Sequence, residues 1–402
     1  MIDNSTPYYT VLLTKCDTKS YPHFALPEYY LDELERVKNA VKNDLKNALF
    51  SAIVIADSHI DYELCLNKEN GGHFWHKGNT GDIYRECELI YRELDTVVEL
   101  ANTTTVDCII FGGDILHGCA SHEVASSYLC SVADKLKGSQ LPTYVIRGNH
   151  DRNDYHGRYC PLEYIIKNEE WTPLMIDELS RCNAVHDEND PFSTYYYVDF
   201  EDKKVRLIVL DAYDYPLTSS DGERADYNAE RWNKVDDDQL LWLANVALDE
   251  KKDAWTYILS SHSPICDPDS FINNKEVKNI VAAFNNREKV TVSGKEIDYT
   301  AAQGNIPLSL SGHTHVASHR LFDEARHICI NTSAARLAYY PSLPEMNNGG
   351  FVSEMPIRYE GTIAEAMIDV ITLCRDGKVI RRNLGPVSDA EFTLTSDGYR
   401  RI

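Results

Sequence analysis

The first 27 residues are irregular and aromatic-rich, and the first clear periodicity follows them. Leu31, Leu34, Val37, Val41, Leu45 and Ala48, with Leu49 beside the last, fall on one stripe of a helix over 28–50. Lys, Asp and Asn occupy the opposite face, so the helix is expected to pack on a larger body. Ser51–Ala56 is a short apolar run with β-branched residues, the composition of a buried strand. A second amphipathic helix over 82–100 presents Ile83, Cys87, Ile90, Leu94 and Val97 on one face. Asp107–Phe111 predicts a strand, 122–137 a helix and Thr143–Ile146 another strand. Strand, helix, strand, helix, strand with short strands implies parallel βαβ units and right-handed crossovers.

The middle of the chain changes character. Thr194–Phe200 and Val205–Leu210 read as adjacent strands about the turn Glu201–Lys204. A helix over 236–250 starts at Asp236, with Gln239 three residues on in a capping-box arrangement. Leu240, Leu243 and Ala247 form its buried face. Trp255–Leu259 is another strand, and shorter ones are expected near 307–310, 317–322, 327–332, 366–374 and 378–383. No repeat, low-complexity block or Gly/Ser linker interrupts the pattern. The expectation is one domain of two sheets packed face to face with helices outside.

Composition narrows the class. Of 402 residues, 43% are hydrophobic and 26% charged, which excludes a disordered, collagen-like or coiled-coil chain. Lys and Arg number 40 against 63 Asp and Glu, a net charge of -23. Such a surface repels phosphate backbones and anionic lipid, so extended nucleic acid and membranes are poor partners unless metal ions reverse the local field. No apolar run approaches the roughly 20 residues of a membrane span. Met1–Thr10 has no signal-peptide pattern, and a cytoplasmic location is expected. Eleven cysteines are scattered singly without a CxxC. Cys108 precedes Ile109-Ile110, and Cys329 sits between Ile328 and Ile330. Buried free thiols are expected, not a disulfide framework or a thiolate zinc site.

Five polar motifs stand at the ends of these strands. They are Asp57-Ser58-His59, Gly112-Gly113-Asp114, Gly148-Asn149-His150-Asp151, Ser260-Ser261-His262 and Ser311-Gly312-His313-Thr314-His315. Sites in open α/β sheets gather at the carboxyl ends of strands. Two Asp, one Asn and four His supply seven oxygen or nitrogen donors, and imidazole favours transition metals over Ca or Mg alone. Seven protein donors are too many for one ion with an open position. If Asp114 bridges, they divide into two sites of four. Gly112, Gly148 and Gly312 would let the backbone turn sharply and approach the ions.

Taken in order, these motifs resemble the calcineurin-like metallophosphoesterase superfamily. Tyr196–Tyr213, with Arg206-Leu207-Ile208-Val209-Leu210-Asp211, resembles the central strand pair of its purple-acid-phosphatase-like and cyclic-nucleotide-phosphodiesterase-like members. Gln239–Leu243 resembles the helix that follows. The resemblance covers about residues 48–385. It leaves 1–47 as an N-terminal extension with an amphipathic helix and 386–402 as a C-terminal tail. It implies an α/β fold, a four-layer αββα sandwich of two mixed β-sheets flanked by helices, with a binuclear metal site at the strand ends.

The resemblance also implies residue roles. Asp57, His59 and His315 would hold one ion and Asn149, His262 and His313 the other, with Asp114 bridging; Mn, Fe or Zn would serve. His150 would contact phosphate or protonate the leaving oxygen, held by Asp151. Three residues after the bridging Asp the family often has Arg or Asp; here it is His117, as in DNA-repair nucleases that resemble the superfamily. Arg152, Tyr155 and His156 are candidate substrate contacts, and His73, Trp75 and His76 in the 64–80 insert a candidate lid. The implied function is metal-dependent phosphoester hydrolysis. A small nucleotide-like phosphodiester attacked by a metal-bridging hydroxide comes first, with a phosphomonoesterase, a DNA-repair-type nuclease and a non-catalytic scaffold as alternatives.

Overall fold

The short apolar runs become the centres of two large sheets in this computed structural model. It describes residues 25–60, 80–118, 120–154, 161–229, 232–248, 254–266, 272–322, 325–335, 343–348, 351–355, 361–395 and 398–401. Helix α1 (Glu28–Asp44) leads into β1 (Ala48–Ile55). Helix α2 (Thr80–Thr103) then connects to β2 (Cys108–Phe111), and α3 (His122–Leu136) to β3 (Thr143–Val145). The three strands are parallel neighbours, as the alternating pattern predicts.

The second sheet begins with β4 (Val185–His186), β5 (Tyr196–Phe200), β6 (Val205–Leu210) and β7 (Thr256–Ser261). A small hairpin, β8 (Lys289–Val292) and β9 (Lys295–Asp298), stands apart as a two-stranded sheet. The second sheet resumes with β10 (Asn305–Ser311), β11 (Ala317–Phe322), β12 (His327–Asn331), β13 (Leu343–Asn348) and β14 (Phe351–Met355). The chain then returns to the first sheet through β15 (Ile368–Cys374), β16 (Val379–Leu384), β17 (Ala390–Thr395) and β18 (Gly398–Arg401).

The strand orders are β18-β17-β16-β15-β1-β2-β3 and β13-β14-β11-β12-β10-β7-β6-β5-β4. Both are mixed: the first is parallel along one side, β1-β2-β3, and antiparallel along the other, while the second has a parallel centre, β6-β7-β10-β12, with antiparallel flanks. Two helices cover the outer face of the second sheet: α4 (Asp237–Trp242), which runs on as a π turn over Leu243–Ala247, and α5 (Asn274–Asn286). In β6, Leu207 and Val209 face the core between the sheets, while Ile208 and Leu210 join the cluster under α4 and α5. Burial on both faces is why such strands read as unbroken apolar runs. Helices α1 and α2 pack on the first sheet, giving the expected four layers.

Several expectations need correction. Helix α1 stops at Asp44, and β1 begins at Ala48, so Leu45, Ala48 and Leu49 do not extend the helical stripe. The buried stripe is Tyr30, Leu34, Val37 and Val41, while Leu31 is 48% exposed. Asp236 caps its helix by accepting from the Gln239 amide at 2.8 Å. The Gln239 side chain completes no box, because it binds both the amide and the carbonyl of Asp211. Cys266 and Cys329, both buried, form a disulfide, so not every thiol is free. Cys108 and Cys374 are buried free thiols, and Cys130 and Cys182 exposed ones. Among the described residues no helix is long and apolar enough to cross a membrane.

One buried histidine lies apart from the strand-end motifs. His327 Nδ1 donates to the Ile306 carbonyl at 2.8 Å, and its Nε2 lies 3.0 Å from Ser309 Oγ. Burial lowers its pKa from 6.5 to about 4. The unfolded chain therefore takes up this proton first as pH falls. The contribution to stability is complete above about pH 6.5 and is lost towards pH 4. His327→Gln cannot titrate. Between neutral pH and about pH 4.5 the wild type should lose roughly 2–3 kcal/mol more urea stability than the variant. Parallel pH profiles for the two proteins would overturn this assignment.

Candidate metal centre

Strand register sets the positions of the five motifs. Ile55 pairs with Phe111 and Phe111 with Val145, so β1, β2 and β3 leave their sheet together. In the second sheet Ser260 pairs with both Val209 and Leu310. The exit loops then run side by side. The Asp57 amide donates to the Gly113 carbonyl at 2.9 Å, the His59 amide to Asp114 at 2.9 Å, and the Gly312 amide to His262 at 3.0 Å. Across the sheets, the His313 amide donates to the Asp57 carboxylate at 3.0 Å, and His262 Nδ1 to the Gly112 carbonyl at 2.7 Å.

Two groups of donors result. Asp57, His59, Asp114 and His315 place their atoms within 4.8 Å of one another, as do Asp114, His262 and His313. Asp114 belongs to both. Asn149 Oδ1 lies 2.9 Å from His262 Nε2 and 2.8 Å from His313 Nδ1. All seven donors singled out from the sequence thus meet at one place. His59 Nε2 and His315 Nε2 face each other at 2.9 Å, and His313 Nδ1 and His262 Nε2 at 3.2 Å. Lone-pair atoms facing one another this closely need a shared proton or a cation between them.

The electrostatics agree. Burial holds His59 well below its ordinary value, and His150 adds to the effect. Burial and His262 bring His313 down to about 3. Burial also opposes a charge on His262, but Asp114 beside it raises that imidazole to about 10. Burial would raise Asp114, yet His262, His150 and His59 hold it well below the carboxylate range. Asp114 thus holds a positive charge on His262, where a cation would otherwise sit, and a set of imidazoles around carboxylates fits divalent transition metals once that proton gives way to an ion.

The backbone is bent to reach this arrangement. Asp57, His59, Asp114, His313 and His315 all have φ between 46° and 71°, the left-handed region that non-glycine residues rarely adopt. Gly113 is the glycine the sequence reading passed over. Its φ is 93°, and a Cβ there would stand 2.7 Å from His262 Nδ1. At Gly148 a Cβ would lie 2.2 Å from Asp114 Oδ1, so the two loops pass too closely for a side chain.

His150 sits beside the donors. Its ring packs edge-on to His59 with centroids 4.6 Å apart and lies against His117 at 5.5 Å. His150 Nδ1 donates to the His117 carbonyl, leaving Nε2 3.9 Å from Asp114 Oδ2. His117, half-buried, also lies 5.6 Å from the His59 ring. The expectation that Asp151 holds His150 is not met. Asp151 instead accepts from four backbone amides: Gly148 at 2.7 Å, Asp114 at 2.8 Å, Ile115 at 2.7 Å and Leu116 at 3.0 Å. It fastens the turn after β3 to the loop after β2. Burial and the Asp114 charge push Asp151 up to about 7, while its amide donors pull it down.

Arg152 does not reach into this cluster. It is buried, donates to the Tyr215 carbonyl and stacks over the Tyr215 ring at 4.1 Å. Tyr155, His156, His73, Trp75 and His76 lie outside the described residues.

Residues 50–317 match the calcineurin-like phosphoesterase family. In fold the chain is similar to a purple acid phosphatase from yellow lupin (Lupinus luteus) seeds, at 10% identity and a TM-score of 0.43, over 85% of this chain and 52% of that one. It is similar to PhoD at 10% identity and a TM-score of 0.48, over 88% and 71%. Against the sulfate thiohydrolase SoxB of Thermus thermophilus the values are 15% and 0.38, over 90% and 58%. The chain thus spans about half the length of the lupin protein. No curated protein matches it by sequence.

The amide cradle of Asp151 makes a stability prediction. Asp151→Ala leaves four buried N–H groups without their acceptor and should cost roughly 2–4 kcal/mol in urea unfolding. A loss below about 0.5 kcal/mol, the size of an ordinary surface substitution, would show that the carboxylate is not a fastening.

Proposed function

The chain belongs to the calcineurin-like phosphoesterase family, a metal-dependent phosphoester hydrolase by that membership, and we propose that it cleaves small nucleotide-like phosphodiesters at the Asp114 cluster. The observation that carries the reading is the membership of Asp114 in both donor groups. Asp57, His59 and His315 would hold one ion and Asn149, His262 and His313 the other, with Asp114 shared. The imidazole-rich set suits Mn, Fe or Zn. Bound there, two ions would lower the pKa of water and neutralise phosphoryl charge.

The protein's own part is to aim and to donate. The His117 carbonyl holds the His150 ring through Nδ1, so Nε2 is directed at the space beside Asp114. In that pose a protonated His150 can give its Nε2 proton to the departing oxygen. His117 stacks on His150 and steadies it. Gly312-His313-Thr314-His315 and the helix bearing Trp242 look most like the nucleotide-phosphodiesterase-like members of the family. That favours the diester over the monoester reading. Tyr155 and His156 are proposed substrate contacts. Arg152, already held by Tyr215, would shape the turn rather than meet substrate. The proposed location is the cytoplasm, which four free thiols among the described residues favour and the Cys266–Cys329 disulfide does not.

Turnover of bis(p-nitrophenyl) phosphate, with and without chelator, and a parallel assay on p-nitrophenyl phosphate test the reading. Metal-dependent cleavage of the diester in preference to the monoester is expected, and no turnover by metal-loaded protein would leave the scaffold alternative. Asp114→Asn removes a charge shared by two cations, so it should lose one ion and most activity. Full turnover with both ions retained counts against the bridging role. His150→Asn should keep its metals and lower kcat by roughly 10²–10⁴. The loss should be larger for alkyl esters than for nitrophenyl esters, whose leaving group departs without a proton. Equal losses on both, with an earlier melt, would make His150 a packing residue.

A further inference from the structure

We infer that Arg147 and Tyr213 are positioning residues for the Asn149–His262–His313 half of the centre, so that weakening either loosens one metal ion and spares the other. The inference rests on the binuclear reading proposed above.

Arg147 stands between β3 and the Gly148-Asn149-His150-Asp151 turn. Its side chain is 1% exposed. Nε donates to Asp211 Oδ2 at 2.8 Å, Nη1 to Asn168 Oδ1 at 2.6 Å, and Nη2 to Asp214 Oδ1 at 3.0 Å and the Tyr213 carbonyl at 3.4 Å. Asp211 is held in turn by the Thr194 hydroxyl at 2.6 Å and the Tyr213 amide at 2.7 Å, while Gln239 clamps its backbone. β3 belongs to one sheet and β6, which leads into Asp211, to the other. The guanidinium therefore bolts the exit of one sheet to the exit of the other, two residues before Asn149.

Tyr213 carries that fastening to the histidines. Its hydroxyl is 2.5 Å from Ser263 Oγ, and Ser263 directly follows His262. Its ring centroid lies 6.0 Å from that of His262 and 6.4 Å from that of His313. The network thus touches the segments that bear Asn149, His262 and His313. The other half is fastened by different bonds: Asp57 and His59 by the loop after β2, and the His315 carbonyl by Ser333 Oγ at 2.7 Å.

Burying a guanidinium costs several kcal/mol unless it is fully paired, and an apolar bolt would join the sheets at lower cost. What a planar fork adds is orientation. Lysine in its place keeps the charge but cannot hold these four acceptors at set angles.

The test is calorimetric titration of the metal-stripped full chain with Mn²⁺ or Zn²⁺, with melting curves of the same samples. Wild type should take up two ions. Arg147→Lys and Tyr213→Phe should weaken one binding step ~10–100-fold, the usual effect of disturbing residues that orient ligands, and leave the other within about twofold. Tyr213→Phe removes one hydroxyl and keeps the ring, so it answers the question if Arg147→Lys fails to fold. Arg206→Lys is the control. Arg206 is 2% exposed and bound to Asp199 and to the Val246 and Ala247 carbonyls, at the opposite end of β6. It should lower the melting temperature and leave both steps unchanged. Two ions in wild type with both steps unchanged in Tyr213→Phe overturns the inference alone, as does an equal fall in both steps. One ion or none in wild type overturns the binuclear reading and this inference with it.

Discussion

The centre is built around one electrostatic cost. Asp57, Asp114 and Asp151 are at most 1% exposed and meet where the two sheets abut. An ionised carboxylate taken out of water loses several kcal/mol of solvation unless other donors replace it. Backbone amides supply much of that replacement here, most of them from another loop. Asp57 accepts from the His313 amide, Asp114 from the His150 amide at 2.9 Å, and Asp151 from amides on both sides of the gap. Carboxylates therefore tie the loop after β1 to the loop after β10, and the loops after β2 and β3 to each other.

The left-handed backbone at five candidate ligands follows from this interlocking. A non-glycine residue in that region costs on the order of 1–3 kcal/mol and persists only where its surroundings leave no alternative. The register of the parallel strands supplies that compulsion, because it brings the exits out level and side by side. Close passage does the rest: Gly113 and Gly148 approach neighbouring loops with no room for a Cβ. Strain and charge are thus concentrated on the same few residues, and the two large sheets absorb both.

This explains what the sequence disclosed and what it withheld. Strand ends are local events, written in a switch from β-branched to polar residues, so the sites of Asp57, Asp114, Asn149, His262 and His313 were legible. The α1 stripe was legible as a pattern, but its phase was not. Tyr30 and Leu31 both suit an apolar face, and only packing on β15 and β16 chooses Tyr30. The duty of Asp151 was hidden because its partners are amides some 35 residues away, and amides leave no mark in a side-chain pattern. Arg147, Tyr213 and the Cys266–Cys329 pair were hidden for the same reason, since each joins segments that meet only in the folded chain. The Gln239 side chain misled because capping spacing is local, while the competing Asp211 backbone is not.

The surface and the site answer different questions about charge. A net charge of -23 repels anions over the whole molecule, yet at physiological ionic strength such fields fade beyond about 8 Å. A long polyanion must lie across much of that surface and feels its sum. A small phosphoester entering at the strand ends feels mainly the donors there, whose sign is set by what they bind. The acidic composition therefore does not oppose the phosphoester chemistry of the family. The charge weighs against a long polyanion and not against a small phosphoester, because only a small one can be dominated by the local field of the centre rather than by the surface around it.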